Sequence, residues 1–179
     1  MRIKGLSLKN FAIVISDYFR KNGIEVILTG GACVVIYTDN KYMSYDLDFV
    51  LISYDRQKEV KQLLIDIGFY EEGRYYKHSD SEYFIDFVSP PLSVGEEPVK
   101  EISEIKKGKL KLKLLSPTDC VKDRLAAFYY WNDRQALEQA VLVCKDNKVD
   151  LSEVERWSAN EEKSSEFKRF KKMLTEAVK

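Results

Sequence analysis

Three stretches of the chain decide the fold: LTGGACVVIY (residues 28–37), SYDLDFVLI (residues 44–52) and YFIDFV (residues 83–88). In the first, the short β-branched run over residues 25–29 predicts a strand, and the apolar residues 32–37 predict a buried helix. Gly30 and Gly31 join the two. Glycines at such a junction let the backbone approach a phosphate, and the N–H groups of a helix start favour an anion. A Gly-Gly pair is also common in plain turns, so the pair alone does not define a site.

The second stretch carries two carboxylates on one predicted strand. Residues 45–52 alternate acidic and apolar side chains before becoming fully apolar, which is typical of an inner strand. Asp46 and Asp48 then share a face, because side chains two apart on a strand point the same way. Two ionised carboxylates side by side repel each other, and oxygen ligands of this kind suit Mg²⁺. The alternative is a solvated face at the edge of a sheet.

The third stretch places a single acid inside an apolar strand. Asp86 has aromatic and β-branched neighbours throughout residues 83–88. A lone Asp in such a strand is costly unless it is paired with a cation or bound to a metal. The structural alternative to a metal is an ion pair with one of the basic residues Arg74, Lys77 and Lys113.

Periodicity and capping signals organise the rest of the chain. Further helices are predicted over 8–22, with Ser7 as the N-cap, and over 55–67; further strands are predicted over 75–77 and 109–115, and residues 92–108 are predicted to be loop. Beyond this point the chain is predicted to be helical, with starts at Ser116-Pro117, near Asp133 and at Asp150, and with a last helix over 163–178. We therefore expect an α/β core over residues 1–115 and a C-terminal helical subdomain over 116–179 that packs on it.

Composition excludes several classes of protein. The 179 residues are 45% hydrophobic and 32% charged, as in ordinary globular proteins, and 29 basic residues balance 29 acidic ones. No global field therefore attracts nucleic acid or anionic lipid. Cys33, Cys120 and Cys144 are scattered and His78 is the only histidine, which argues against a zinc site and for reduced thiols. No signal-peptide pattern and no run of 18 apolar residues is present, so we expect a cytoplasmic protein without a membrane segment.

The order of these motifs resembles the nucleotidyltransferase (polymerase β-like) superfamily. Its pattern is Gly-Gly or Gly-Ser after a strand, then Asp-x-Asp or Asp-x-Glu, then a third acid on a later strand. The resemblance covers roughly residues 24–90, and LSPTDCVKDRLAAF followed by NDRQALEQA looks like the helix pair of AbiEii-type prokaryotic relatives. It implies an α+β fold, in which flanking helices surround a mixed sheet and a C-terminal helical segment follows.

The resemblance also implies roles for the motif residues. Gly30 and Gly31 would hold the triphosphate of an NTP substrate. Asp46 and Asp48 would bind one or two Mg²⁺ ions. Asp86 would join the second ion and help to activate the attacking hydroxyl, as in two-metal in-line displacement.

Three further residues have open assignments. Ser44 either hydrogen-bonds a phosphate oxygen or is a surface residue. Arg124, or less favourably Lys122, either reaches the nucleotide from the helical part or belongs to an ion pair on a helix face. Several departures from the family pattern bear on catalysis, and the first is that Gly31 stands where many active members have a serine hydroxyl.

These observations support two functional hypotheses and a structural alternative. The leading hypothesis is a metal-dependent transfer of a nucleoside monophosphate from an NTP to a hydroxyl of RNA, protein or a small molecule. The second is a binding protein of the same fold, acting with a partner protein or as a homodimer in a toxin–antitoxin or defence pair. The third is an α+β domain without a nucleotide site.

Two weaker patterns are also left open. A basic strip of lysines could follow an RNA backbone or protect an edge strand from aggregation; its members are Lys106, Lys107, Lys109, Lys111 and Lys113. The aromatic run 129–131 is interpreted as core and interface, with base stacking as the alternative.

Overall fold

The computed structural model describes residues 2–177 as seven α-helices, nine strands and one short 3₁₀ helix. The helices are α1 (Leu8–Lys21), α2 (Gly30–Tyr37), α3 (Gln57–Asp66), α4 (Pro117–Trp131), α5 (Arg134–Asp146), α6 (Leu151–Asn160) and α7 (Ser164–Ala177). The strands are β1 (Val26–Thr29), β2 (Asp46–Leu51), β3 (Tyr70–Glu72), β4 (Tyr75–Lys77), β5 (Phe84–Val88), β6 (Ser93–Val94), β7 (Glu97–Pro98), β8 (Ile102–Lys107) and β9 (Leu110–Leu115). The 3₁₀ helix spans Tyr54–Arg56. Among the helices of residues 2–177, none combines the length and the apolar character needed to cross a membrane.

Seven strands form one mixed sheet in the order β3-β4-β5-β2-β1-β9-β8, and β6 pairs with β7 in a separate ribbon. The pairs β2–β5 and β1–β9 are parallel, and the other neighbouring strands are antiparallel. A mixed sheet with flanking helices confirms the predicted α+β class. The parallel β2–β5 pair is central to the site, because it aligns the Asp-x-Asp strand with the strand that carries Asp86.

Helix α1 covers one face of this sheet. Its predicted cap is present, since Ser7 Oγ accepts a hydrogen bond from the Asn10 amide at 3.5 Å. Phe11 and Phe19 are completely buried. The Phe19 ring lies 5.9 Å from the ring of Phe87 in β5. Apolar side chains of β2 and β5 therefore face α1, and the residues that alternate with them face the opposite side.

The C-terminal helices begin where the sequence predicts. Side-chain oxygens of Ser116, Asp133 and Asp150 accept hydrogen bonds from first-turn amides of α4, α5 and α6 at 3.1, 3.0 and 3.0 Å. Helix α4 packs against α5, α6 and α2. In the described chain α7 ends at Ala177, so the predicted end at residue 178 lies outside the described residues. The division at residues 115 and 116 stays a prediction.

Several predicted boundaries are wrong. Residues 92–108 are not loop, because β6 and β7 lie there and β8 pairs with β9 along its whole length. β8 and the unpredicted strand β3 lie at the two edges of the sheet, where side chains are mostly exposed and hydrophobic alternation is weak. Lys109 is in the turn between β8 and β9, not on the strand face that carries Lys111 and Lys113. Helix α2 begins at Gly30 itself, and α3 begins at Gln57, after the 3₁₀ turn.

Candidate active site

The two acids of β2 lie on one face of the sheet. Leu47 and Phe49, which alternate with them, are completely buried on the α1 side. Asp46 and Asp48 are partly buried on the other side. The acidic and apolar side chains of β2 therefore alternate between the two faces of the sheet as the sequence predicts, because the apolar ones are packed in the core.

Asp86 lies directly beside Asp48. In the parallel β2–β5 pair, Asp48 and Asp86 are register partners. Adjacent strands are about 4.8 Å apart, and register partners project to the same face. Asp86 is itself buried, with 7% of its surface exposed. The tertiary fold thus places the carboxylates of Asp46, Asp48 and Asp86 on one face of two neighbouring strands, and we call these three residues the acid site.

Burial and like charges perturb the acid site electrostatically. Burial is the largest cause, and the negative charges of Asp46 and Asp86 add to it, so that the pKa of Asp48 rises to about 7. The positive charge of Arg124 acts in the opposite direction. A carboxyl group whose pKa is raised by burial and by neighbouring negative charges is typical of a functional cluster.

Gly30 makes room for the Asp48 carboxylate. Its φ is +69°, a region that L side chains rarely adopt, and a Cβ at this position would collide with Oδ2 of Asp48. The Thr29 hydroxyl donates a hydrogen bond to the Asp48 carbonyl at 3.1 Å and does not cap α2. The first turn of α2 therefore begins beside the acid site without a side-chain cap.

Gly31 and Ser44 face each other at the same helix start. A Cβ on Gly31 would lie 3.3 Å from Ser44 Oγ. That hydroxyl donates a hydrogen bond to Asp46 Oδ1 at 2.6 Å. Ser44 is half-buried and orients an acid, and its contact with a phosphate oxygen stays a prediction.

Arg74 is the basic residue that pairs with Asp86. Its Nε lies 3.0 Å from Asp86 Oδ2. The other two partners considered from the sequence are engaged elsewhere, Lys77 with Glu72 and Lys113 with Glu25. The sequence leaves three candidate partners for Asp86, and the β3–β4 turn places Arg74 close enough to pair with it.

The acid site has the donor chemistry for a divalent cation. Carboxylate oxygens are the ligands that Mg²⁺ uses in proteins, and Gly30 leaves space beside Asp48. In the conformation described for residues 2–177, however, no group of three or more His, Cys, Asp or Glu side chains is arranged to hold a metal ion. Asp86 is instead paired with Arg74. The ligand types and their shared face therefore suit Mg²⁺, and the metal-binding roles of the three acids stay a prediction.

Arg124 approaches the same side of the sheet from α4. It pairs with Asp123 Oδ2 at 2.5 Å and donates to Gln139 Oε1 at 3.3 Å, with 17% of its side chain exposed. The sequence analysis did not single out Asp123 and Gln139. The only signal for them is position, since Asp123 is next to Arg124 in the chain and Gln139 lies in the following helix. Lys122, its predicted rival, instead pairs with Glu153 at 2.7 Å.

A cavity of about 470 Å³ opens beside Arg124. Its wall includes Gly95, Glu96, Asp123, Tyr130 and Trp131. Trp131 is 76% exposed and Tyr130 is 47% exposed, whereas Tyr129 is buried. The predicted core role of the aromatic run therefore applies to Tyr129 and not to Trp131.

The lysine strip lies on the opposite part of the sheet, at the β9–β8 edge, and much of it is neutralised. Lys106 and Lys111 pair with Glu104, Lys113 pairs with Glu25, and Lys107 donates to Asn10. This arrangement favours the edge-protection interpretation over an RNA-binding track.

Comparisons with known proteins concern the fold. No protein-family model matches the chain, and no curated protein sequence matches it significantly. Among solved structures, an antigenic nucleotidyltransferase-like protein from Paracoccidioides brasiliensis is similar, with a TM-score of 0.59 and 15% identity over 79% of this chain and 77% of that one.

Two antibiotic-modifying enzymes are similar as well. Lincosamide antibiotic adenylyltransferase LnuA, solved with lincomycin, has a TM-score of 0.56 and 18% identity over 81% of this chain and all (100%) of that one. ANT(2")-Ia in complex with adenylyl-2"-tobramycin has a TM-score of 0.54 and 13% identity over 83% of this chain and 92% of that one. At these identities the likeness concerns architecture rather than substrate. The chain has the nucleotidyltransferase fold.

Proposed function

We propose that the protein is a metal-dependent nucleotidyltransferase that transfers a nucleoside monophosphate from an NTP to a hydroxyl acceptor. The acid site carries this proposal, because Asp48 and Asp86 are register partners and Asp46 shares their face beside the start of α2. The fold shared with two adenylyltransferases supports it.

Each residue of the site has a role in the proposed reaction. The amides of Gly30 and Gly31 at the start of α2 bind phosphate oxygens, and Asp46 and Asp48, joined by Asp86, would hold Mg²⁺. The cation, when bound, neutralises charge on the triphosphate and on the entering and leaving oxygens. Asp86 accepts the proton of the acceptor hydroxyl, whose oxygen bonds to the α-phosphorus as the bond to pyrophosphate breaks.

Other residues orient the acids and the substrates. Ser44 fixes the Asp46 carboxylate through its 2.6 Å hydrogen bond. Arg124 supplies positive charge from α4, which suits the nucleotide. The cavity beside Arg124 is the place proposed for the acceptor, since Arg124 lines it and it carries the exposed ring of Trp131.

A transfer assay tests the proposal. The protein is incubated with Mg²⁺ and each of the four α-labelled NTPs, together with total RNA, lysate protein or a pool of small hydroxyl compounds. Label on one acceptor class, lost in Asp48→Asn and kept in the exposed control Asp80→Asn, is the expected result. Absence of transfer together with absence of nucleotide binding would contradict the proposal.

A second candidate function is a partner-binding protein of the same fold, such as one component of a toxin–antitoxin or defence pair. The Arg74–Asp86 ion pair favours it, because it occupies an acid that the enzyme needs. The AbiEii-type resemblance belongs to this candidate, and location in the cytoplasm stays a prediction for both. A tightly bound partner whose retention is unchanged in Asp46→Asn and Asp48→Asn would support it over the enzyme.

A further inference from the structure

The β3–β4 hairpin carries Arg74 to the acid site. Arg74 occupies the turn after Gly73, whose φ is +65°, and its side chain is 69% exposed. Its guanidinium carbon lies 4.9 Å above the centre of the Tyr75 ring. That ring packs edge-on against Phe84 at 4.8 Å, two residues before Asp86 on the same strand. The hairpin therefore aims a solvent-accessible guanidinium at a buried carboxylate.

Other charges of the hairpin are engaged away from the acid site. Lys77 pairs with Glu72 across the hairpin, and Glu71 pairs with Lys61 of α3 at 2.6 Å. Arg74 differs from them because its acidic partner lies in the acid site. Asp86 has 10% of its side chain exposed and adjoins a second carboxylate, that of Asp48. A positive charge at this place offsets part of the repulsion among the acids.

We propose that Arg74 is a latch that competes with the divalent cation for Asp86. This inference rests on the proposed function, because it assumes that the acid site takes a cation. In the metal-free protein the guanidinium holds Asp86. A bound cation would be held by Asp86 together with Asp46 and Asp48, and the guanidinium of Arg74 would then be released to solvent without any covalent change.

Exposure makes this exchange feasible. Because the Arg74 side chain is 69% exposed, its guanidinium can return to solvent when a divalent cation takes its place beside Asp86. Removal of Arg74 also removes a positive charge close to the incoming cation. Both effects act in the same direction, and together we expect cation affinity to increase by about three- to tenfold when Arg74 is neutralised.

Binding of Mn²⁺ to the full chain, without nucleotide or acceptor, tests the latch. Electron paramagnetic resonance or calorimetry gives the dissociation constant for the wild type, Arg74→Gln and Arg74→Lys. Lys77→Gln is the matched control, since it removes one positive charge from the same hairpin at a residue paired with Glu72. Circular dichroism confirms that each variant is folded, and the exposed position of Arg74 makes unfolding unexpected.

Repeating the Arg74→Gln change in the Asp86→Asn variant separates direct competition for Asp86 from a general charge effect. We expect Arg74→Gln to tighten Mn²⁺ binding three- to tenfold, Lys77→Gln to change it less than about twofold, and Arg74→Lys to fall between them. In Asp86→Asn the Arg74→Gln change should have only the effect of the lost charge, no larger than that of Lys77→Gln. A larger effect in Asp86→Asn, an effect in the wild-type chain equal to that of Lys77→Gln, or weaker binding in Arg74→Gln overturns the latch.

The outcomes also separate the latch from the proposed function. If the wild type and Arg74→Gln bind Mn²⁺ equally well, the latch is wrong and the metal-dependent enzyme stands. If neither binds Mn²⁺ at millimolar concentration, the latch and the metal-dependent reaction are both overturned. If only Arg74→Gln binds, the latch is supported in its strongest form.

Discussion

The protein contains two clusters of charged side chains, one in which acids lie side by side and one in which acids pair with bases. In the acid site, Asp46, Asp48 and Asp86 share one sheet face, with Arg74 as the ion-pair partner of one of them. In a second cluster, between α4, α6 and β7, acids and bases alternate; its members are Asp119, Lys122, Glu153, Arg156 and Glu97. We call the second group the ion-pair cluster.

The pKa values of the acids differ accordingly. Hydrogen bonds from Arg156 are the largest cause that lowers the pKa of Glu153 and of Glu97 to about 2. Burial and like charges raise the pKa of Asp48 to about 7. Acids that each pair with a basic side chain indicate a structural cluster, whereas adjacent acids that repel one another indicate a site that an external cation completes.

The largest expected effect is on catalysis at the acid site. Asp48→Asn should lower the rate of nucleotidyl transfer by at least about 10³-fold, since a lost metal ligand removes several kcal/mol of transition-state stabilisation. The same change removes a repelled, buried charge, so the free energy of unfolding should rise by about 1 kcal/mol. Transfer assays and urea unfolding measure the two effects. A loss of stability in Asp48→Asn would contradict the contrast between the clusters.

Gly30→Ala should lower activity by less than Asp48→Asn does, and it should lower stability as well. The new Cβ collides with the Asp48 carboxylate at a backbone position with positive φ, so activity should fall by about 10²-fold and unfolding free energy by about 3 kcal/mol. Gly108→Ala is the matched control. Its φ is also positive, at +60°, but nothing lies within 4 Å of the added Cβ. Equal stability losses in the two variants would show that backbone strain alone, and not the collision, is responsible.

A substitution in the ion-pair cluster should lower the stability of the protein and leave its activity unchanged. Lys122 is 6% exposed and bridges Glu153 and Asp119. Lys122→Met leaves their carboxylates partly unpaired and should lower the free energy of unfolding by about 2–3 kcal/mol, with unchanged transfer per folded molecule. Urea unfolding checks this against the exposed control Lys148→Met. A loss of transfer activity without a loss of stability would instead connect Lys122 to the nucleotide.

The smallest effect is a pH dependence of the ion-pair cluster. The folded pKa of Glu153 is depressed to about 2, against about 4.3 in an unfolded chain. Its contribution is therefore complete above about pH 4.3 and is lost as pH falls towards 2. Because Glu153 is 27% exposed, we expect Glu153→Gln to cost only about 1 kcal/mol at pH 6.

Unfolding curves of the wild type and Glu153→Gln between pH 6 and pH 2.5 measure this dependence. The difference between the two proteins should stay constant down to about pH 4.3 and shrink as the pH falls below that value. A difference that stays constant over this range would show that the Glu153 carboxylate loses no favourable interaction on protonation.

Prediction from the sequence worked best where local rules apply. The cap of α1 at Ser7 and the start of α4 at Ser116 depend on neighbours within a few residues, and both are confirmed. The edge strands β3 and β8 were missed because their side chains are largely exposed, and pairing with a neighbouring strand is their main support.

The candidate site divides in the same way. The Asp-x-Asp strand, the acid in YFIDFV and the glycine pair can all be found from residue type and alternation. The choice of Arg74 from three candidate partners of Asp86, and the engagement of Ser44 by Asp46, could not. These contacts depend on where the tertiary structure places the β3–β4 turn and the residues that precede β2.

The sequence by itself determined the three carboxylates, the glycine junction and the class of the fold, because strand alternation and helix capping act over a few residues. The tertiary structure alone decided that Asp48 and Asp86 are register partners, that Arg74 reaches the acid site, and that Lys122 belongs to the ion-pair cluster. Strand register and ion pairing join residues from separate elements, and their energies depend on burial and distance, which local patterns do not encode.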